Sequence, residues 1–226
     1  MVTAIIVAAG RGTRMGPNID KLFLDVAGRP VIAHTWSAFD SSPDIDQIVI
    51  VVRAGMESAF EDIGRKLGTR LPYRLAEGGA ERQDSVWNGL QAVSAQSALV
   101  AIHDGARPCV THEVISQCLR AAKDFGAAVA AQRVTDTIKE SDDGVSITRT
   151  IDRSKLWAVQ TPQAFQTRIL RQAITAAREQ RLNLTDDTAA CELIGQPVTL
   201  IECKQPNPKV TMPGDLPLIE SLLSRK

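Results

Sequence analysis

Basic residues follow glycines in this chain at places where an apolar run has just ended. After TAIIVAA come Gly10, Gly12, Arg14 and Lys21; after SALVAI come His103, Asp104, Gly105 and Arg107; and Lys209 stands between Pro208 and the run Val210-Thr211. From Gly10 to Lys21 three basic residues face one acidic residue, Asp20. Glycines let a backbone turn and bring N–H groups close to an anion, while guanidinium and ammonium groups supply countercharge. The chemistry on offer is the holding of phosphate. It is positioning and charge neutralisation, with no nucleophile and base placed side by side.

Two common phosphate-binding motifs do not fit the stretch AAGRGTRM. It lacks the Lys-Ser/Thr pair of a Walker loop, and its third glycine, Gly16, stands one residue too far along for G-x-G-x-x-G. Taken alone, the segment is either a basic surface turn or a phosphate cradle of another design.

The elements that must position these residues are legible from the apolar pattern. Short β-branched runs (TAIIVAA, QIVIVV, YRLAE, SALVAI, AAVAA, PVTLIEC) alternate with helical patterns beginning near Pro30, Met56, Arg82 and Thr111. Strands too apolar to have one wet face predict an α/β fold with a mostly parallel sheet covered by helices on both faces. In such sheets ligands bind beyond the carboxyl ends of the strands, which is where the cations lie. Two further helices (QTRILRQAITAAREQ and TDDTAACELIG) and a last one from about Pro213 follow. Asp186 and Asp187 read first as helix-start residues, since acidic groups suit a first turn.

The stretch 134–153, VTDTIKESDDGVSITRTIDR, has little apolar material and alternates around SDDG. It predicts a two-stranded hairpin arm projecting from a single domain that takes in residues 1–226. Equal numbers of basic and acidic residues, 26 each, give nothing that favours nucleic acid or an anionic membrane. The four cysteines (Cys109, Cys118, Cys191, Cys203) are scattered without metal-ligand spacing. Buried, reduced thiols and a cytoplasmic protein are expected, and the opening MVTAIIVAAG is too short an apolar run for a membrane span.

The pattern A-A-G-x-G-x-R-M followed by a lysine resembles the signature of nucleotidyltransferases. GGAERQDSVWNGL, HDGARP, VTDTIK, TIDRSKLWAVQTPQAF, TDDTAACE and NPKVTMPGDL follow it in the order found in 2-C-methyl-D-erythritol 4-phosphate cytidylyltransferases. The resemblance runs from Ala4 to about Leu223 and implies a Rossmann-like nucleotidyltransferase fold. It also implies a reaction in which CTP and methylerythritol 4-phosphate give the cytidine diphosphate derivative and pyrophosphate. A phosphate monoester is already anionic near neutral pH, so no general base is required of the protein. The competing expectations are another polyol phosphate, such as ribitol 5-phosphate, and a non-catalytic nucleotide-binding module.

By resemblance, Arg14 and Lys21 are the catalytic cations at the α-phosphate and leaving pyrophosphate. Ala8, Ala9, Gly10 and Gly12 cradle the triphosphate, Gly79 and Ser85 contact the cytosine, Gly105 joins the CTP site, and Arg82 shapes the loop around it. Asp104 contacts CTP and the substrate's hydroxyls or orders Mg²⁺. Arg107, Thr161 and Lys209 bind the polyol phosphate, as do Thr137 and Arg153 on the arm, which the family packs across a homodimer. His103 is left without a role, and Arg11 is not required. The chain departs from the family pattern at Asp20 and Leu22, where proline and glutamine usually flank the lysine, and at Ala80, where an acidic residue is common. Lys21 is therefore expected to be less firmly fixed.

Overall fold

The computed structural model describes residues 1–10, 12, 15, 16 and 19–224. A seven-stranded sheet is built from β1 (Val2–Val7), β4 (Gln47–Val52), β5 (Tyr73–Glu77), β6 (Leu99–Asp104), β7 (Ala127–Arg133), β10 (Trp157–Gln166) and β11 (Thr199–Glu202). Their order is β11-β7-β10-β6-β1-β4-β5. β1 pairs in parallel with both β4 and β6, β5 with β4, and β11 with β7, whereas β10 runs antiparallel between β6 and β7. The chain moves outward from β1 to one side and then returns to place β6 on the other. That reversal opens a crevice beyond the carboxyl end of β1.

Alternation along each strand divides the core in two. Ala4 and Ile6 of β1 and Ile48, Ile50 and Val52 of β4 join one cluster. There they meet Trp36 and Phe39 of α1 (Val31–Asp40), Phe60 and Ile63 of α2 (Glu57–Leu67), and Ile115 and Cys118 of α4 (His112–Phe125). Ile5, Val49 and Val51 point the other way, onto Val86 and Leu90 of α3 (Arg82–Ala92), Leu170 and Ile174 of α5 (Thr167–Glu179), and Cys191 of α6 (Asp187–Leu193). Both faces of the central strands β1, β4 and β6 are dry, as their unbroken apolar runs require. A last helix, α7 (Leu216–Leu223), follows a 3-10 turn over Pro213–Asp215.

Helix starts match the sequence signals. Thr111 caps α4 by accepting from the Val114 amide at 3.4 Å, and Glu81 and Asp84 form a capping box at α3. β10 carries no such signal: its Gln, Thr and Pro residues conceal a strand whose register shifts between Val159 and Gln163. A small ribbon of β2 (Asp25–Val26) and β3 (Arg29–Pro30) is equally silent in the sequence. The arm is there as a short antiparallel pair, β8 (Lys139–Glu140) with β9 (Arg149–Thr150). The four cysteines are buried and none is in a disulfide, and among the described residues no helix is long and apolar enough to cross a membrane.

Candidate active site

A cleft of about 1380 Å³ lies beyond the carboxyl ends of β1, β4, β5 and β6. Ala8, Ala9 and Gly10 continue from β1, Arg53 from β4, Gly78 to Arg82 from β5, and Asp104 ends β6. Asp20, Lys21, Glu77, Ser85 and Lys209 add further polar groups to the lining. Backbone bonds align the exits: the Ala8 amide donates to Val51 at 2.8 Å, Gly78 to Val52 at 2.8 Å and Gly105 to Val7 at 2.9 Å. Small residues are needed here because the exits are crowded. A Cβ on Gly78 would stand 2.3 Å from that of Ala9, and one on Gly105 3.0 Å from Ile32.

Lys21 is only 8% exposed, and its Nζ donates to the Val210 carbonyl at 2.8 Å. Contrary to expectation it is well fixed. Leu22 is buried in the core, and the Asp20 carboxylate pairs with Arg53, so both unusual flanks are anchored. Gly12 has a φ of +63° and lies against the lysine stem. Gly79 donates to the Ser85 hydroxyl at 3.1 Å, and Ser85 donates to the Glu81 carbonyl at 3.2 Å, which ties the β5 exit to the start of α3. Arg14 lies outside the described residues.

Asp104 is the electrostatic centre. Lys209 Nζ lies 2.9 Å and Arg107 Nε 3.3 Å from its Oδ2, and Arg82 Nε lies 3.6 Å from Oδ1. Burial works against its charge, but Lys209, Arg82 and Arg107 together hold the carboxyl well below the usual carboxylate range. Arg107 also donates to the Asn207 carbonyl at 2.8 Å. Arg82 reaches beyond Asp104 to Asp187, with Nη2 2.9 Å from Oδ2. Although burial disfavours its charge, these carboxylates keep Arg82 firmly protonated, while burial of Asp187 pushes that carboxyl up. Asp186 is the helix cap expected, accepting from the Ala189 amide at 3.0 Å. Asp187 has a second role that the sequence does not reveal: it braces Arg82.

Behind Asp104 runs a chain of hydrogen bonds. The Asp104 amide donates to Thr161 Oγ1 at 3.1 Å, Thr161 meets His103 Nδ1 at 3.0 Å, and His103 Nε2 meets the Arg107 carbonyl at 3.1 Å. A carbonyl can only accept, so Nε2 carries the hydrogen, Nδ1 is the acceptor, and the Thr161 hydroxyl donates to it. Burial pushes the His103 pKa down to about 4, which keeps the ring neutral and this arrangement intact. His103 is thus a structural link between Asp104 and Arg107.

Ala8, Ala9, Gly10, Lys21, Gly79, Ser85, Asp104 and Lys209 are brought together at the cleft. Gly105, Arg107 and Thr161 lie immediately behind it, and Gly12 supports Lys21. Thr137 and Arg153 do not line it; both are exposed on the arm, where Arg153 donates to the Thr135 carbonyl. Arg53 lines the cleft and is absent from the sequence-predicted set, although it directly follows QIVIVV and obeys the strand-end rule that singles out the others. Among the described residues no group of three or more His, Cys, Asp or Glu side chains could hold a metal ion, and both Asp104 oxygens are ion-paired. The donor set does not fit a resident divalent cation. It suits anions.

A mostly parallel sheet with a glycine-lined, cation-bearing cleft at its switch point defines an α/β nucleotidyltransferase. The family model described as "IspD: 2-C-methyl-D-erythritol 4-phosphate cytidylyltransferase" matches residues 2–225. The chain belongs to that family. It is 43% identical over 223 residues to the 2-C-methyl-D-erythritol 4-phosphate cytidylyltransferase of Geobacillus kaustophilus, covering 99% of this chain and 97% of that one. It is 39% identical to the protein of the same name from Pelotomaculum thermopropionicum, covering 100% and 95%. The crystal structure of the Thermus thermophilus cytidylyltransferase superposes with a TM-score of 0.81 at 34% identity, covering all of both chains. That of 4-diphosphocytidyl-2C-methyl-D-erythritol synthase from Anaerococcus prevotii gives 0.87 at 30% identity, covering 99% and 96%.

Proposed function

We propose that the chain transfers the cytidylyl group of CTP to 2-C-methyl-D-erythritol 4-phosphate, a step of non-mevalonate isoprenoid synthesis. A phosphate oxygen of the polyol attacks the α-phosphorus, the bond from that phosphorus to the bridging oxygen breaks, and pyrophosphate leaves with the electron pair. The observation that carries this reading is the family match over residues 2–225, whose strand-end segments border one cation-rich cleft.

Both reactants are polyanions, so the protein's task is to hold them together and neutralise charge as it moves to pyrophosphate. In this reading Ala8, Ala9, Gly10 and Gly12 cradle the triphosphate, with Arg14 and Lys21 countering the growing charge. Gly79 and Ser85 select the small base by the size of the space beside them. Asp104 arranges Lys209 and Arg107 for the polyol phosphate. The hard oxygen donors that Mg²⁺ prefers are those of the triphosphate, so the cation is expected with CTP and not as a ligand of the protein alone.

The homodimer belongs to the same proposal. The arm exposes Val145 at 89% and Ile147 at 65%, and a two-stranded ribbon does not stand alone well in water. Thr137 and Arg153 then complete the cleft of the partner subunit. Incubation with CTP, Mg²⁺ and each of methylerythritol 4-phosphate and ribitol 5-phosphate, with pyrophosphate measured, tests the reaction. Release with the first and not the second is expected. A monomer fully active on dilution, as judged by mass and rate, would remove the arm from the site.

A further inference from the structure

We propose that Arg53 and Asp20 form a clasp that positions Lys21, a role that rests on the transfer reaction proposed above. Arg53 is the first residue after β4. Its Nη1 donates to the Gly10 carbonyl at 3.1 Å, and its Nη2 pairs with the Asp20 carboxylate. One planar guanidinium therefore holds both ends of the segment between β1 and Lys21, which a lysine could not do with the same geometry.

The clasp acts directly on the residue next to it. The second oxygen of Asp20 accepts from the Leu22 amide at 3.1 Å, and its carbonyl accepts from Phe23 at 3.0 Å. Lys21 is thus enclosed in a turn whose first residue is tied to Arg53 and whose third, Leu22, is 2% exposed in the core. The Arg53 and Asp20 side chains are 25% and 20% exposed, so water screens this pair less than one on an open surface. Where the resembling family carries a proline, which limits the backbone by its ring, this chain limits it with an ion pair. The Lys21 ammonium is then presented to the cleft from a fixed base.

The test compares Arg53→Gln, Asp20→Asn and the double variant; asparagine keeps an acceptor for the Leu22 amide and removes the charge. Hydrogen exchange at the Leu22 and Phe23 amides should quicken about fivefold in each single variant and no further in the double. With CTP and polyol phosphate, each single variant should lower kcat by about fivefold to tenfold, again without addition in the double. Unchanged exchange in the single variants overturns the clasp. So does a loss from Arg53→Gln that is as large in the Asp20→Asn background as in the parent protein, because Arg53 would then act on the triphosphate itself. Exchange is read without substrate, so a parent protein that releases no pyrophosphate removes the transfer reading while the clasp is still judged.

Discussion

The stem of Lys21 lies across the α-carbon of Gly12, so that a methyl group built on the glycine would stand 3.3 Å from Cγ and Cδ of the lysine. Gly12 also has a φ of +63°, where an L side chain costs roughly 1–2 kcal/mol. Gly12→Ala should therefore displace the lysine as well as strain the loop. A fall in kcat/KM of about tenfold, with a loss of roughly 1–2 kcal/mol in urea unfolding, is the expected outcome of steady-state kinetics beside an unfolding curve.

In the proposed reaction Lys21 supplies charge where pyrophosphate departs. Lys21→Ala should lower kcat by roughly a hundredfold or more, the scale of loss seen when a transition-state donor is removed. If the KM for CTP alone rose, Lys21 would bind ground and transition states equally and its assigned part would be wrong.

The brace from Asp187 to Arg82 spans 105 residues of sequence. Asp187→Ala leaves a largely enclosed guanidinium short of a partner, and a loss of about 3 kcal/mol in urea unfolding is expected. Asp187→Asn keeps an acceptor and should lose less than half as much. Equal losses would mean that the negative charge, more than the hydrogen bond, holds Arg82.

His103 gives a pH signature. Its pKa in the folded chain, about 4, lies below the ordinary value of 6.5 because the ring is buried. The unfolded chain takes up a proton that the folded one refuses, so stability from this residue is complete above about pH 6.5 and declines down to about pH 4. The amount is up to about 3 kcal/mol. His103→Gln should be the less stable protein near neutral pH and should close most of that gap near pH 4; parallel curves across the range would show that His103 titrates alike folded and unfolded, so that burial does not lower its pKa.

Much of the architecture is legible without coordinates because β1, β4 and β6 are apolar on both faces, a pattern that a half-wet sheet does not produce. The exits of those strands and of β5 then point to Gly10, Lys21, Gly79 and Asp104. β10 escapes because its buried segment Thr161–Phe165 mixes polar side chains with a proline, and their partners come from distant parts of the chain. Thr161 answers to His103 and Asp104, and Gln163 to Asp186 and Asp187. Asp187 reads as no more than a first-turn acid for the same reason: local sequence carries the cap but not the arginine that comes to meet it. Arg53 is within reach of the strand-end rule, yet the motifs that carry the family resemblance pass it by.

The hydrogen of the Thr161 hydroxyl is already committed to His103, and one of its lone pairs to the Asp104 amide. Thr161 is 3% exposed and stands behind the cleft lining, so its hydroxyl is spent on the frame. It works as a keystone, fixing which nitrogen of His103 carries the hydrogen and where the carboxylate facing Lys209 and Arg107 stands.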